Sequence, residues 1–170
     1  MHLKRIVIVM LFLLSTYSFA DFNAQVVYII NGDTVDVLDS NNQKFRIRLL
    51  GIDAPEKKQS FGYESTLYLK KRISGEFVTI ISRPNNNKPY TLDFYKRILG
   101  KINLNGIDIN LEMVKKGMAW HYKKYKKNQP IDERQSYNKA ESNAREKNIG
   151  LWVGDRILPP WKWRQQNRKR

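Results

Sequence analysis

Residues 26–50 read VVYIINGDTVDVLDSNNQKFRIRLL, and this stretch decides the fold. A run of β-branched and aromatic residues ends at Asn31-Gly32, which is the strongest short signal for a β-hairpin. A second turn follows at 41–42, and apolar and polar residues then alternate with the two-residue period of a strand. The stretch predicts a meander of three antiparallel strands, at 26–30, 34–38 and 44–50, of the kind that begins a small barrel.

The rest of the chain predicts two further strands and about three helices. The strands are expected at 77–82 and 95–104. The helices are expected at 62–73, from an Asn110 N-cap to Gly117, and at 132–147, whereas 159–164 is expected to be irregular. Five short strands with interleaved helices indicate an α+β fold, a five-stranded OB-fold β-barrel flanked by about three α-helices.

The first twenty residues have the pattern of a secretory signal peptide. Lys4 and Arg5 precede nine apolar residues at 6–14, and Ser18-Phe19-Ala20 provides a small-x-small cleavage site. An uncleaved membrane anchor is the alternative, but spanning a bilayer takes roughly twenty apolar residues. We expect a signal peptide at 1–20 cleaved after Ala20, one domain at 21–164 and a basic tail at 165–170. The protein would then be exported, to the periplasm or the medium.

Composition restricts the chemistry. The chain has a net charge of +15, and removing Lys4 and Arg5 leaves 29 basic against 16 acidic residues, or +13. This excess favours polyanionic partners, although a cationic surface protein would share it. The absence of cysteine excludes disulfides and thiolate sites, and the two histidines, His2 and His121, exclude a histidine-rich metal site after cleavage. A metal would bind through oxygen ligands, which favours calcium or magnesium.

Three carboxylates lie at or just after predicted strand ends. Neighbouring barrel strands can bring Asp33 and Asp53 together, and with the backbone carbonyl of Ala54 they would form a minimal set of oxygen ligands. Glu56 follows Pro55 and could take a proton from an attacking water. The alternative is structural, with both aspartates serving as turn residues and Glu56 as a solvated loop residue.

Basic and aromatic side chains accompany the carboxylates. Arg46 and Arg48 share one face of a strand, so periodicity cannot choose which of them would hold a phosphate. Arg97 is either a second phosphate clamp or a surface arginine. Aromatic and basic residues mix over 120–127, which favours base stacking and phosphate contacts over a solvated basic loop. The candidate nucleic-acid-binding residues are Trp120, Tyr122, Lys123, Lys124 and Tyr125.

Together these motifs resemble the thermonuclease family, the staphylococcal (micrococcal) nuclease-like proteins. The matching segments are NGDTV at 31–35, RLLGIDAPE at 48–56, and 93–97, 110–119 and 137–152. The resemblance covers roughly Gln25 to Arg164 and implies an OB barrel flanked by helices. It implies calcium-dependent hydrolysis of DNA and RNA that leaves 3′-phosphate and 5′-hydroxyl ends. By match, the calcium ligands are Asp33, Asp53 and the carbonyl of Ala54, and the catalytic residues are Arg48, Glu56 and Arg97.

The chain departs from the family pattern at three places. Ala54 and Lys96 replace a threonine and a glycine, and the segment 57–61 is shorter than the corresponding loop. A lysine at positive φ would cost about 1 kcal/mol and could misdirect Arg97. We expect a monomeric exported nuclease that acts on DNA and RNA, with no stable membrane association after signal cleavage. A catalytically inactive nucleic-acid-binding OB module is the alternative.

Overall fold

The structure is a computed structural model that describes residues 20–85, 88–154 and 157–167. The expected signal peptide therefore lies outside the described residues, apart from its last position. Within the described part, the strands are β1 (Ala20–Asn31), β2 (Thr34–Asp39), β3 (Lys44–Leu49), β4 (Ile52–Asp53), β5 (Phe77–Ser82), β6 (Ile98–Leu104), β7 (Ile107–Asp108) and β8 (Trp120–His121). The helices are α1 (Gly62–Ile73), α2 (Ile109–Lys115), α3 (Ile131–Glu146) and α4 (Pro160–Asn167), with 3-10 turns at Lys123–Asn128 and Gly150–Val153.

Five strands close into a barrel. β1 pairs antiparallel with β2 and β5, β2 pairs with β3, and β5 pairs with β6. A parallel pairing of β3 with β6 closes the cylinder, while β7 extends β6 as a short hairpin. β4 and β8 form a separate two-stranded ribbon. The predicted α+β fold, an OB-fold barrel flanked by helices, is confirmed.

Strand alternation fills the barrel. In β6 every second residue is buried, and β5 repeats the pattern, because successive side chains of a strand point to opposite faces. Each fully buried aliphatic side chain contributes about 1.5–3 kcal/mol. Contacts of α1 with β1 and of α2 with α3 and β6 cover the outside. None of the described helices is long and apolar enough to cross a membrane. The interior includes Val35, Val37, Ile47, Leu49, Ile80 and Ile102.

The N-cap of α2 was predicted wrongly. Asp108, not Asn110, caps this helix, and its carboxylate accepts a hydrogen bond from the amide of Leu111 at 2.9 Å. Asn110 is fully buried, and its side-chain amide donates to the carbonyls of Leu50 and Gly100 at 3.0 and 3.1 Å. Its short polar side chain therefore ties α2 to the barrel seam instead of beginning the helix.

Further boundaries differ from the prediction. β1 begins at Ala20 and not at residue 26, and its first residues pair with β5. β6 begins at Ile98 and not at residue 95, because the carboxylate of Asp93 accepts the amides of Tyr95 and Arg97 and holds 93–97 in a turn. The segment expected to be irregular contains a fourth helix, α4, which runs on to Asn167 and includes the first residues of the expected tail.

Candidate active site

An open cleft of about 1490 Å³ lies beside the turns that follow β1 and β3. The five charged residues predicted as metal ligands or catalytic groups line it together: Asp33, Arg48, Asp53, Glu56 and Arg97. Four of the five predicted nucleic-acid-binding residues line it as well: Trp120, Tyr122, Lys123 and Lys124. The side chain of the fifth, Tyr125, lies outside the part that the structure describes.

The barrel pairings bring these residues together from distant positions. Asp33 lies in the turn between β1 and β2, and Arg48 sits on β3 opposite Thr34 of β2. The parallel pairing places Ile47 of β3 beside Ile98 of β6, and the guanidinium of Arg97, just before that pair, lies 3.4 Å from the hydroxyl of Thr34. Asp53 belongs to β4, which pairs with β8. Closure of the barrel and the separate β4–β8 ribbon together assemble the cleft.

Hydrogen bonds fix the carboxylate of Asp33. Its Oδ2 accepts the amide of Ala54 at 2.9 Å, and its Oδ1 accepts the hydroxyl of Thr34 at 2.9 Å. The residue is only 4% exposed. These bonds connect the β1–β2 turn to the segment after β4, so Asp33 and Asp53 are held on a shared framework.

Arg48 joins the two aspartates. Its Nη2 lies 3.0 Å from Asp53 Oδ1 and 3.2 Å from Asp33 Oδ2. Its Nη1 donates to the carbonyls of Leu49 and Ile52 at 2.8 and 2.7 Å, which fixes the plane of the guanidinium. Arg46 pairs instead with Asp36, at 2.7 and 3.1 Å. The structure thus separates the two arginines that periodicity could not distinguish, and Arg48 is the one in the cleft.

Arg97 reaches the cleft despite the departure at Lys96. Lys96 has φ 61°, the left-handed conformation that favours glycine. The turn absorbs this strain, since Asp93 accepts the amide of Arg97 at 2.9 Å and its Nε at 2.7 Å. The guanidinium is also 3.4 Å from the hydroxyl of Thr34. With lysine at this position Arg97 still lines the cleft, and its guanidinium forms an ion pair with Asp93 at 2.6 Å.

The carboxylates of Asp33 and Asp53 are the candidate oxygen ligands for a metal cation. Asp33 and Asp53 present oxygens to one positive group, Arg48 Nη2, at 3.2 and 3.0 Å. Both are buried, so the pair requires positive charge nearby. Among the described residues, no three His, Cys, Asp or Glu side chains are gathered as a metal cluster. Two carboxylates completed by backbone carbonyls and water still fit a hard cation.

A family model described as "Staphylococcal nuclease homologue" matches residues 46–154, which is more than half of the chain. This chain belongs to the staphylococcal nuclease family. An Escherichia coli protein named "Uncharacterized endonuclease" is 36% identical over 86% of this chain and 88% of its own length. A "Micrococcal nuclease" of Shigella flexneri is 34% identical over 98% and 94%. "Staphylococcal-like nuclease CAN1" of Arabidopsis thaliana is 40% identical over 74% of this chain and 35% of its own length.

In this staphylococcal nuclease homologue, Arg164 of α4 also reaches the site, and sequence reasoning missed it. Its Nη1 lies 2.8 Å from Glu56 Oε1 and 3.2 Å from Asp53 Oδ1, and its Nη2 lies 2.8 Å from Asp53 Oδ2. Burial lowers the pKa of Arg164, but the bonds to Asp53 and Glu56 outweigh burial and raise it. Pro160 was the available sequence signal for the helix that carries Arg164, because proline is common at the first position of a helix.

Asp53 carries opposing influences. Burial raises the pKa of its carboxyl group, and the neighbouring carboxylate of Asp33 adds to that effect. Hydrogen bonds from Arg164 and the charge of Arg48 act in the opposite direction without reversing it. A positive charge close to Asp53 is therefore needed to favour the ionised form of its carboxyl group.

Packed aromatic rings form one wall of the cleft. Trp120 meets Trp152 and Trp161 edge-on, with centroids 4.4 and 5.4 Å apart, and only 7% of its surface is exposed. The guanidinium of Arg145 stacks 3.7 Å from the Trp152 ring centroid. Trp120 therefore offers little open ring face, whereas Tyr122, also beside Trp161, is half-buried.

Proposed function

We propose that this protein is an exported, calcium-dependent nuclease. It would hydrolyse phosphodiester bonds of DNA and RNA with little sequence preference, leaving 3′-phosphate and 5′-hydroxyl ends. The observation that carries the proposal is the convergence of three carboxylates and two arginines in one cleft of a strongly basic protein. A domain that only bound nucleic acid would gain nothing from carboxylates that repel phosphate.

Asp33, Asp53 and the backbone carbonyl of Ala54 would hold the calcium ion. When bound, calcium supplies positive charge for a phosphate oxygen and for a coordinated water. The chain prepares this site in advance, because the amide of Ala54 and the hydroxyl of Thr34 already hold Asp33 in place. Such prepared geometry lowers the ordering cost of binding.

Glu56 would act as the general base. Its carboxylate lines the cleft, and residues after it are fixed because the amide of Gln59 donates to its carbonyl at 2.8 Å. A carboxylate in that position takes the proton of the attacking water, a role that contributes about 10²–10⁴-fold in rate.

Arg48 and Arg97 would stabilise the transition state. Both side chains are partly buried, at 12% and 25% exposure, so their charges are less screened than those of surface arginines. The attacked phosphate gains negative charge as the water adds, and planar guanidinium groups can match two of its oxygens.

Tyr122, Lys123 and Lys124 would hold the polynucleotide, whereas the buried ring of Trp120 would support this wall of the cleft through Trp152 and Trp161. Lys123 and Lys124 are exposed residues of the cleft lining, where their charges can meet successive phosphates without reading sequence. Stacking on an aromatic ring contributes about 1–3 kcal/mol per base. The protein would act as a monomer.

Export would follow from the segment 1–20, with the mature protein starting at Asp21. Extracellular calcium sites bind at roughly 0.1–1 mM, so the enzyme would be nearly inactive before it left the cytosol. Sequencing the N-terminus of protein recovered outside the cytoplasm should give Asp21, and an intact Met1 would contradict cleavage.

Substitution of Glu56 tests the proposed chemistry. Glu56→Gln should lower single-turnover DNA cleavage by about a hundredfold or more, while DNA affinity measured in EDTA stays unchanged. Glu64→Gln, an exposed position in the first turn of α1, removes the same charge outside the cleft lining and is the matched control. Unchanged turnover in Glu56→Gln would remove Glu56 from the mechanism.

A further inference from the structure

Arg164 occupies the carboxylates that the proposed chemistry needs free. Its two terminal nitrogens contact both oxygens of Asp53, at 2.8 and 3.2 Å, and one oxygen of Glu56, at 2.8 Å. Asp53 is the proposed metal ligand and Glu56 the proposed base. One guanidinium therefore engages the cation-binding group and the proton-accepting group at the same time.

Packing of α4 holds Arg164 in this position. Trp161, three residues earlier and on the same helix face, lies 5.4 Å from both Trp120 and Tyr122 between ring centroids. Pro160 is buried, and the side-chain amide of Gln59 donates to the carbonyl of Leu158 at 2.5 Å. The contact of Arg164 with Asp53 is thus supported by a docked helix.

Charge balance makes the contact incompatible with a bound divalent cation. Arg48 and Arg164 bring two positive charges to the three carboxylates of Asp33, Asp53 and Glu56. Arg48 contacts Oδ1 of Asp53, whereas Arg164 contacts both oxygens. A divalent cation bound directly to Asp53 would therefore need the oxygen Oδ2, which among the described residues Arg164 alone holds, and it would face the guanidinium of Arg164 at contact distance. Calcium and the Arg164–Asp53 contact therefore exclude each other.

We propose that Arg164 is a built-in competitor of calcium at Asp53 and Glu56. The proposal rests on the calcium-dependent function proposed above and adds its regulation. At low calcium, Arg164 neutralises the charge of Asp53 and holds the carboxylate of Glu56 in an ion pair, so that Glu56 is not free to accept a proton. At high calcium, the ion displaces Arg164, and Glu56 is released to accept a proton. The apparent calcium affinity equals the intrinsic affinity multiplied by the fraction of molecules in which Arg164 leaves the site open. If Arg164 occupies the site about nine-tenths of the time, calcium binding is weakened about tenfold.

Calcium titration calorimetry on the purified protein tests the competition without any substrate. Arg164→Ala should bind calcium about tenfold more tightly than the wild type. Lys162→Ala is the matched control, because it removes one positive charge from an exposed position of the same helix. Arg164→Lys keeps the charge but cannot bridge both carboxylates, so its calcium affinity should lie between those of the wild type and Arg164→Ala. This second variant keeps the test valid if Arg164→Ala fails to fold.

Thermal unfolding supplies a second readout. Arg164→Ala should melt below the wild type in EDTA and should gain more from added calcium. Calcium affinities equal to wild type in both Arg164 variants would overturn this proposal and leave the proposed function standing. An equal gain in Arg164→Ala and Lys162→Ala would overturn it too, since general charge would explain the gain. Absence of calcium binding in every protein would overturn this proposal and the calcium dependence together.

Discussion

Gly62→Ala tests whether the placement of Glu56 controls the rate. A β-carbon built on Gly62 would lie 1.9 Å from the carbonyl oxygen of Glu56 and 2.8 Å from its carbonyl carbon. Both are backbone atoms, so no rotation of a side chain can relieve the overlap. Gly62 begins α1 and packs directly under the loop that carries Glu56, which explains the absence of a side chain there.

The size of the effect follows from these distances. An ordinary contact needs about 3.4 Å, so the carbonyl of Glu56 would move by about 1.5 Å, the difference from 1.9 Å. A misplacement of about 1 Å can cost about a hundredfold in rate. Overpacking also destabilises a fold by about 1–3 kcal/mol, which a stable domain survives. We therefore expect at least a hundredfold loss of cleavage in a folded protein.

Single-turnover cleavage of a labelled single-stranded oligonucleotide at saturating calcium measures this loss. Circular dichroism at the assay temperature should show that Gly62→Ala is folded, and affinity in EDTA should match the wild type. Gly154→Ala is the control, because its β-carbon meets no atom within 4 Å and its backbone has φ −95°. Cleavage within about threefold of wild type would show that the position of Glu56 does not control the rate, because a catalytic group displaced by more than about 1 Å should slow the reaction strongly.

Two further outcomes are expected. Lys123→Ala combined with Lys124→Ala should weaken DNA binding and reduce the slope of log affinity against log salt by about 2. Exposed Lys70 and Lys71 on α1 give the matched double variant, and an unaltered slope would show that Lys123 and Lys124 do not contact phosphates. Burial, with a hydrogen bond to Glu112, raises the pKa of Tyr68 from 10.0 to about 12. The protonated Tyr68 hydroxyl therefore stabilises the fold below pH 10, and this stabilisation is lost as pH rises toward 12. The difference in unfolding free energy between wild type and Tyr68→Phe should shrink across that range, and a constant difference would contradict the raised pKa of Tyr68.

Local patterns predicted the parts of the fold that depend on neighbours in sequence. The boundaries of α1 and β5 follow from helical spacing, the Gly75 stop and β-branched residues, and the Asn31-Gly32 hairpin is where the pattern places it. Asp93 closes a turn that propensity could not reveal, because residues 95–97 suit a strand as well. α4 was missed since its aromatic and basic residues have almost no helical periodicity and follow two prolines.

The candidate site also contains residues that local sequence patterns reveal and one residue that they do not. Asp33, Asp53 and Glu56 stand out because they lie at strand ends and turns, and the family motif distinguished Arg48 from Arg46 before the Asp36 ion pair was visible. Pro160 signals at most the helix that carries Arg164. The contact of Arg164 with Asp53 has no local signal, because the two residues lie 111 positions apart in sequence. Contacts of that range depend on how α4 docks, and docking follows from packing of Trp161 on Trp120.

Calcium-dependent cleavage is tested by hydrolysis of single-stranded and duplex DNA with the purified protein, titrated with calcium and then with EDTA. We predict cleavage that rises with calcium, stops on chelation and leaves 3′-phosphate ends. Tight binding without cleavage at any calcium concentration would contradict the account and favour a nucleic-acid-binding module.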